Sequence, residues 1–95
     1  MDDDRLLRVC SIAAVLADRR RVDLLARVID QPRCSSELAE ACGLSAQNTS
    51  KHLVRLRRAG LVRVVRDGRR SRYEAAGDVP GRLLTSLSEV RVDAA

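Results

Sequence analysis

Ninety-five residues predict a single domain, because a chain this short has little room for a second core. Hydrophobic residues reach 45%, but Phe and Trp are absent and Tyr73 is the only aromatic, so the core must be aliphatic. No apolar run approaches the roughly 18 residues needed to span a bilayer. The acidic start Met1-Asp2-Asp3-Asp4 also differs from a basic secretory leader. The expectation is a soluble cytoplasmic protein with no membrane partner.

Catalytic material is scarce. His52 is the single histidine, and no Ser/His/Asp spacing or glycine-rich phosphate loop is present. Cys10, Cys34 and Cys42 are an odd set without a C-x-x-C, which gives no disulfide framework. A non-enzyme is expected. Charge says more. From Gly43 to Tyr73 nine cations face the single acid Asp67, whereas the rest of the chain holds nine cations and twelve acids. A basic segment in an otherwise acidic chain marks a local site for a polyanion.

In chain order, Arg5 to Leu16 reads as a helix capped by Asp4, with Leu6, Val9, Ala13 and Leu16 in one apolar stripe. Leu7, Cys10, Ile12 and Ala14 widen that stripe until the helix is apolar on most sides. In so short a chain, a second copy is the simplest cover. A second helix follows from roughly Arg20 to Asp30, with Val22, Leu25, Val28 and Ile29 inward, and Pro32 ends it. Ser35 or Ser36 caps a short third helix, Glu37 to Cys42, and Gly43 is the natural left-handed residue to stop it. Ser45 caps a fourth helix that runs to Ala59 before Gly60.

Two strands then flank Asp67-Gly68, the favoured dipeptide for a tight hairpin. Counting outward from that turn sets Val62 opposite Tyr73 and Val64 opposite Ser71 on the core side. Arg63 then faces Arg72, and Val65 faces Arg70, on the outside. A like-charge pair across two strands is destabilising unless an anion lies over it. Pro80 opens a last helix carrying Leu83, Leu84, Leu87 and Val90.

Helix, glycine turn, helix and basic hairpin form the order of a winged helix-turn-helix: a mainly α (α+β) fold with about five helices and a two-stranded wing. If Thr49, Leu53 and Leu56 face the core, the fourth helix displays Gln47, Lys51 and Arg58 outward, with Asn48, Val54 and Arg55 beside them. Gln and Asn can pair with adenine, and Arg or Lys with guanine. An ordinary solvated helix face carries mixed charge, and this one has no acid. The expected DNA-contacting set is Ser45, Gln47, Asn48, Ser50, Lys51, Arg55 and Arg58 on the helix, with Arg63, Arg66, Arg69, Arg70 and Arg72 on the wing. The alternative is a winged-helix module that turns the same surfaces to a protein partner. His52, near the edge of the buried face, is expected to be a packed residue rather than a metal ligand.

The segment Ala14-Val15-Leu16-Ala17-Asp18-Arg19-Arg20-Arg21-Val22-Asp23-Leu24-Leu25 resembles the "ALADPTRxxIL" opening of the ArsR/SmtB family of bacterial metalloregulators. Glu37 to Ser45 is similar to that family's helix-turn-helix. Asn48-Thr49-Ser50-Lys51-His52-Leu53 resembles its "NVSxHL", and Gly60 to Tyr73 resembles its wing. The resemblance implies a homodimeric repressor that covers a palindromic double-stranded operator, with the first and last helices as the dimer interface. It also implies release by a metal ion or another small inducer, such as Zn, Ni, Cd, Cu or arsenite. The family's sensor sites carry over poorly. Cys34-Ser35-Ser36 keeps the first cysteine of a Cys-x-Cys pair and replaces the second with Ser36, leaving Cys34 as the candidate ligand and Cys10 as its helper. The last-helix site is missing at Gly77-Asp78-Val79-Pro80, so a repressor without ligand control stays open.

Overall fold

The computed structural model describes residues 1–93. Side-chain caps set where its helices begin. Asp2 Oδ1 accepts the Arg5 N–H at 2.8 Å and opens helix α1, Asp3–Leu16. The start lies earlier than the sequence predicts because Asp2, rather than Asp4, takes the capping position. Asp18 Oδ1 accepts the Arg20 N–H at 2.8 Å and opens α2, Arg19–Asp30. Helix α3, Ser35–Cys42, is capped by Cys34 instead of a serine, and the Glu37 carboxylate reaches back to accept the Cys34 N–H at 3.0 Å. Ser45 Oγ accepts the Asn48 N–H at 3.0 Å and opens α4, Ala46–Arg58. Between α3 and α4, Gly43 sits at φ +65°, a left-handed backbone that L side chains avoid. The last helix, α5, is Val79–Ser88, with Pro80 in its first turn.

The core is aliphatic, as composition requires. Leu24, Leu25 and Val28 from α2 meet Leu38 of α3, Leu53 and Leu56 of α4, and Leu61 and Val62 at the entry to the wing. Thr49 is fully buried yet satisfied, because its hydroxyl donates to the Ser45 carbonyl at 2.8 Å. Thr49, Leu53 and Leu56 are therefore the inward face of α4, as helical spacing predicts.

The sheet departs from expectation in two ways. It has three strands in the order β1-β3-β2: β1 is Arg33–Cys34, β2 is Val62–Asp67 and β3 is Arg70–Ala75. The hairpin also turns on Gly68-Arg69 rather than Asp67-Gly68, because Asp67 pairs with Arg70. Either favoured hairpin turn centred on Asp67-Gly68 would need a positive φ at Asp67, whereas the positive φ lies at Gly68, at +64°. The register thus moves by two residues, which keeps every side chain on its expected face and changes every partner. Val64 now faces Tyr73, a favourable β-branched and aromatic pair. Arg63 faces Glu74 and Val65 faces Arg72, so the expected Arg63–Arg72 clash does not exist.

Candidate nucleic-acid interface

Helix α4 lies across the outside of the core with one face free. Gln47, Ser50, Lys51, Val54, Arg55 and Arg58 line a shallow concavity along it. All but Val54 are exposed, and so are Ser45 and Asn48 at the helix start. No acid occurs between Ala46 and Arg58. Arg55, Arg57 and Arg58 in the last turn also sit at the negative end of the helix dipole, so they favour the helix that carries them. Ser45 Oγ accepts the cap bond, and Gln47, Asn48, Ser50 and Lys51 are the exposed polar groups presented from the first turns.

The wing arginines divide by partner. Arg63 Nε donates to Glu74 Oε1 at 2.6 Å, and Arg72 Nη1 lies 3.9 Å from Asp67 Oδ2. Arg66 reaches only the neutral Ser71 hydroxyl, at 3.3 Å. Among the described residues no acid lies within ion-pair distance of Arg69 or Arg70. The uncompensated charge therefore sits at the wing tip, and Arg63 already has its anion in Glu74. An expected result follows for any polyanion on this face. Arg69→Ala or Arg70→Ala flattens the slope of log affinity against log salt by about 0.9 for each phosphate no longer neutralised. Arg63→Ala changes it little, and Glu74→Gln steepens it by freeing Arg63. An Arg63→Ala loss equal to that of Arg70→Ala would show that the ion pair opens on binding.

The cysteines do not form a common site. Cys34 is buried at the α3 cap, where its Sγ donates to Glu37 Oε1 at 2.9 Å and lies 3.2 Å from Ser36 Oγ. The Cys34 hydrogen bonds lower the Glu37 pKa, and the charges of Arg72 and Arg33 add to the effect. Cys10 is exposed on α1. Cys42 is half-buried near Asp23 and Arg27, and burial followed by the Asp23 charge raises its pKa. Among the described residues no three His, Cys, Asp or Glu side chains gather where they could hold one ion. The described residues of this chain thus do not complete the metal site that the resemblance implies.

Sequence and structure comparisons place this arrangement in a family. A family profile described as a helix-turn-helix domain matches residues 16–65. The regulator KmtR of Mycobacterium tuberculosis is 41% identical over 68 residues, which cover 72% of this chain and 52% of KmtR. CmtR of Mycobacterium bovis is 35% identical over 79 residues, covering 83% of this chain and 67% of CmtR. A homodimeric winged helix-turn-helix DNA-binding domain from Mycobacterium bovis, described as a possible ArsR-family regulator, superposes with a TM-score of 0.85 at 28% identity, over 93% of this chain and 84% of that one. The chain belongs to the ArsR/SmtB family. It spans about half the length of KmtR. The helix-turn-helix profile covers the stretch of this ArsR/SmtB chain from the end of α1 through α4 into β2, and the superposition extends the likeness over nearly the whole chain.

One residue of this ArsR/SmtB chain is buried against what its charge alone suggests. Arg21 is buried in α2, between the end of α1 and His52 of α4. A signal for it exists: position 21 precedes Leu24, Leu25 and Val28 by three, four and seven residues, so it lies on the buried stripe.

Proposed function

We propose that residues 1–95 act as one winged helix-turn-helix domain, a cytoplasmic, non-enzymatic transcriptional repressor that binds a palindromic double-stranded operator as a homodimer. The acid-free exposed face of α4 beside an unpaired basic wing tip carries this reading. Its relatives are named HTH-type transcriptional regulators, which supports it. So does the apolar surface along α1 and α5. No residue of α1 is buried, and Leu6, Leu7, Val9 and Leu87 are all exposed. Val9, Ile12, Ala13, Leu16, Val79 and Leu87 line an apolar groove between α1 and α5, suited to a second copy such as that of the homodimeric Mycobacterium bovis domain. Two half-sites about 34 Å apart then receive one α4 each. The test is selection of duplexes from a random pool. Recovered sequences with twofold symmetry and a steep salt dependence support the reading, whereas no retained duplex at low salt indicates a protein-binding module.

The inducer is a narrower matter. A soft or borderline ion (Zn, Ni, Cd, Cu or arsenite) prefers thiolate donors. One subunit does not gather enough donors, so such an ion at Cys34 needs the partner subunit, with Cys10 the exposed thiol within a dimer-forming helix. Titrating the reduced dimer on its duplex with each ion is expected to release DNA from Cys42→Ser and not from Cys34→Ser. Normal release from Cys34→Ser would remove the thiol site, and no release from the parent would indicate a repressor without ligand control.

A further inference from the structure

Arg21 is the one buried charged residue among the described residues, 9% exposed. A guanidinium carries five donors and cannot shed its charge, so it survives inside only when those donors are met. Its Nε donates to the Val15 carbonyl at 2.6 Å and its Nη2 to the Ala14 carbonyl at 3.4 Å. Both carbonyls belong to the last turn of α1, which has no basic residue of its own. Arg21 therefore supplies the cation that the C-terminal end of α1 lacks. The other branch, Nη1, lies 3.4 Å from His52 Nδ1 in the middle of α4 and 3.6 Å from Asp18 Oδ2. One side chain thus ties the end of the exposed apolar helix, the start of α2 and the reading helix together.

We propose that Arg21 is a positioning residue that fixes α4 against α1, and that protonation of His52 releases this junction, so that DNA affinity falls as the solution is acidified. The proposal rests on the DNA-binding function proposed above. Arginine only donates, so the Nδ1 it meets must accept, which requires a neutral ring with its proton on Nε2. A protonated ring would turn a second N–H and a second positive charge toward Arg21. The charged groups around the ring are Asp18 at the α1–α2 junction, Arg20 and Arg21 on α2, and Arg55 on α4 itself. Burial lowers the imidazole pKa below its ordinary 6.5, and the three arginines add to this while Asp18 opposes it. The native state then binds fewer protons than the unfolded chain as pH drops below that value. The contribution of the junction is complete above about 6.5 and is lost on the acid side.

The sign separates this junction from bare electrostatics. A histidine that merely gained a charge near DNA would strengthen binding in acid, whereas loss of the junction weakens it. Breaking one long hydrogen bond to a charged group points to the low end of such losses, roughly three- to tenfold in affinity between about pH 7.5 and about pH 5.5. His52 is the only histidine, so proton NMR follows its ring without ambiguity. The experiment measures duplex affinity of the parent and of His52→Asn across this range, using a duplex selected by the parent at the upper pH. Asn keeps an acceptor near the Nδ1 position and does not titrate. The parent is expected to weaken in acid with a midpoint at the NMR pKa, His52→Asn is expected to stay flat, and Arg21→Gln is expected to raise the imidazole pKa. A parent profile that is flat or rises in acid overturns the proposal. So does an equal fall in His52→Asn, or an imidazole pKa indifferent to Arg21→Gln. If the parent selects no duplex at all, the DNA-binding function fails instead, while the NMR comparison still tests the junction in the free protein.

Discussion

Leu87→Asp is expected to split the dimer and to lower affinity for a two-half-site operator by roughly 10²–10⁴, the usual advantage of engaging two linked sites at once. Leu87 is 51% exposed, so the carboxylate meets water in the isolated subunit and leaves its core intact. The same side chain lines the apolar groove toward Val9 and Ile12 and a second hollow toward Leu16 and Leu84. Both must close against a partner if the twofold arrangement holds, and an unpaired carboxylate there costs far more than the leucine packing it replaces. Sedimentation reads the result directly. A Leu87→Asp protein that remains dimeric, or a parent that is monomeric at micromolar concentration, would move the interface or remove it.

Gln47→Ala combined with Lys51→Ala is expected to cost about 1–3 kcal/mol for each base edge no longer read, on the selected duplex only. Affinity for mixed-sequence DNA changes much less, because the wing arginines hold the backbone in both cases. Gln47 and Lys51 lie one turn apart on the exposed face of α4, so their removal leaves Leu53, Leu56 and Thr49 in place. Competition between selected and mixed duplexes isolates the difference. Equal losses on both would reassign these side chains to phosphate contacts.

Much of this arrangement is readable from residue order, for reasons that differ by element. Thr49, Leu53 and Leu56 sit at helical spacing, and the face opposite an apolar stripe follows from geometry alone. Gly43 and Ser45 mark the turn by local backbone chemistry. Elements that depend on distant partners are not readable in this way. Strand β1 is two residues long and exists only because Tyr73 and Arg72 lie beside it. The hairpin register hangs on which residue of the turn takes a positive φ, and Asp-Gly and Gly-Arg both suit a tight turn until Arg63 finds Glu74. Arg21 stays hidden because a cation on an apolar stripe is ordinarily drawn toward water, and only the carbonyls of α1 and the ring of His52 make burial tolerable.

Residues 3–11 of α1 are all exposed within the subunit, and Ile12, Val15 and Leu16 near its end supply its packing against the core. A helix of 14 residues is marginal in water without tertiary support. The leading half of α1 therefore takes its order from whatever covers it, and in the proposed dimer that cover is another chain. Assembly then adds to subunit stability by mass action. Where most chains are unassembled, the amount of dimer rises with the square of chain concentration. A twofold change in expression becomes nearly a fourfold change in the species that can span two half-sites. In the proposed dimer, dosage itself would act as a control input, sharpening the response of a protein whose subunits would each engage only half an operator.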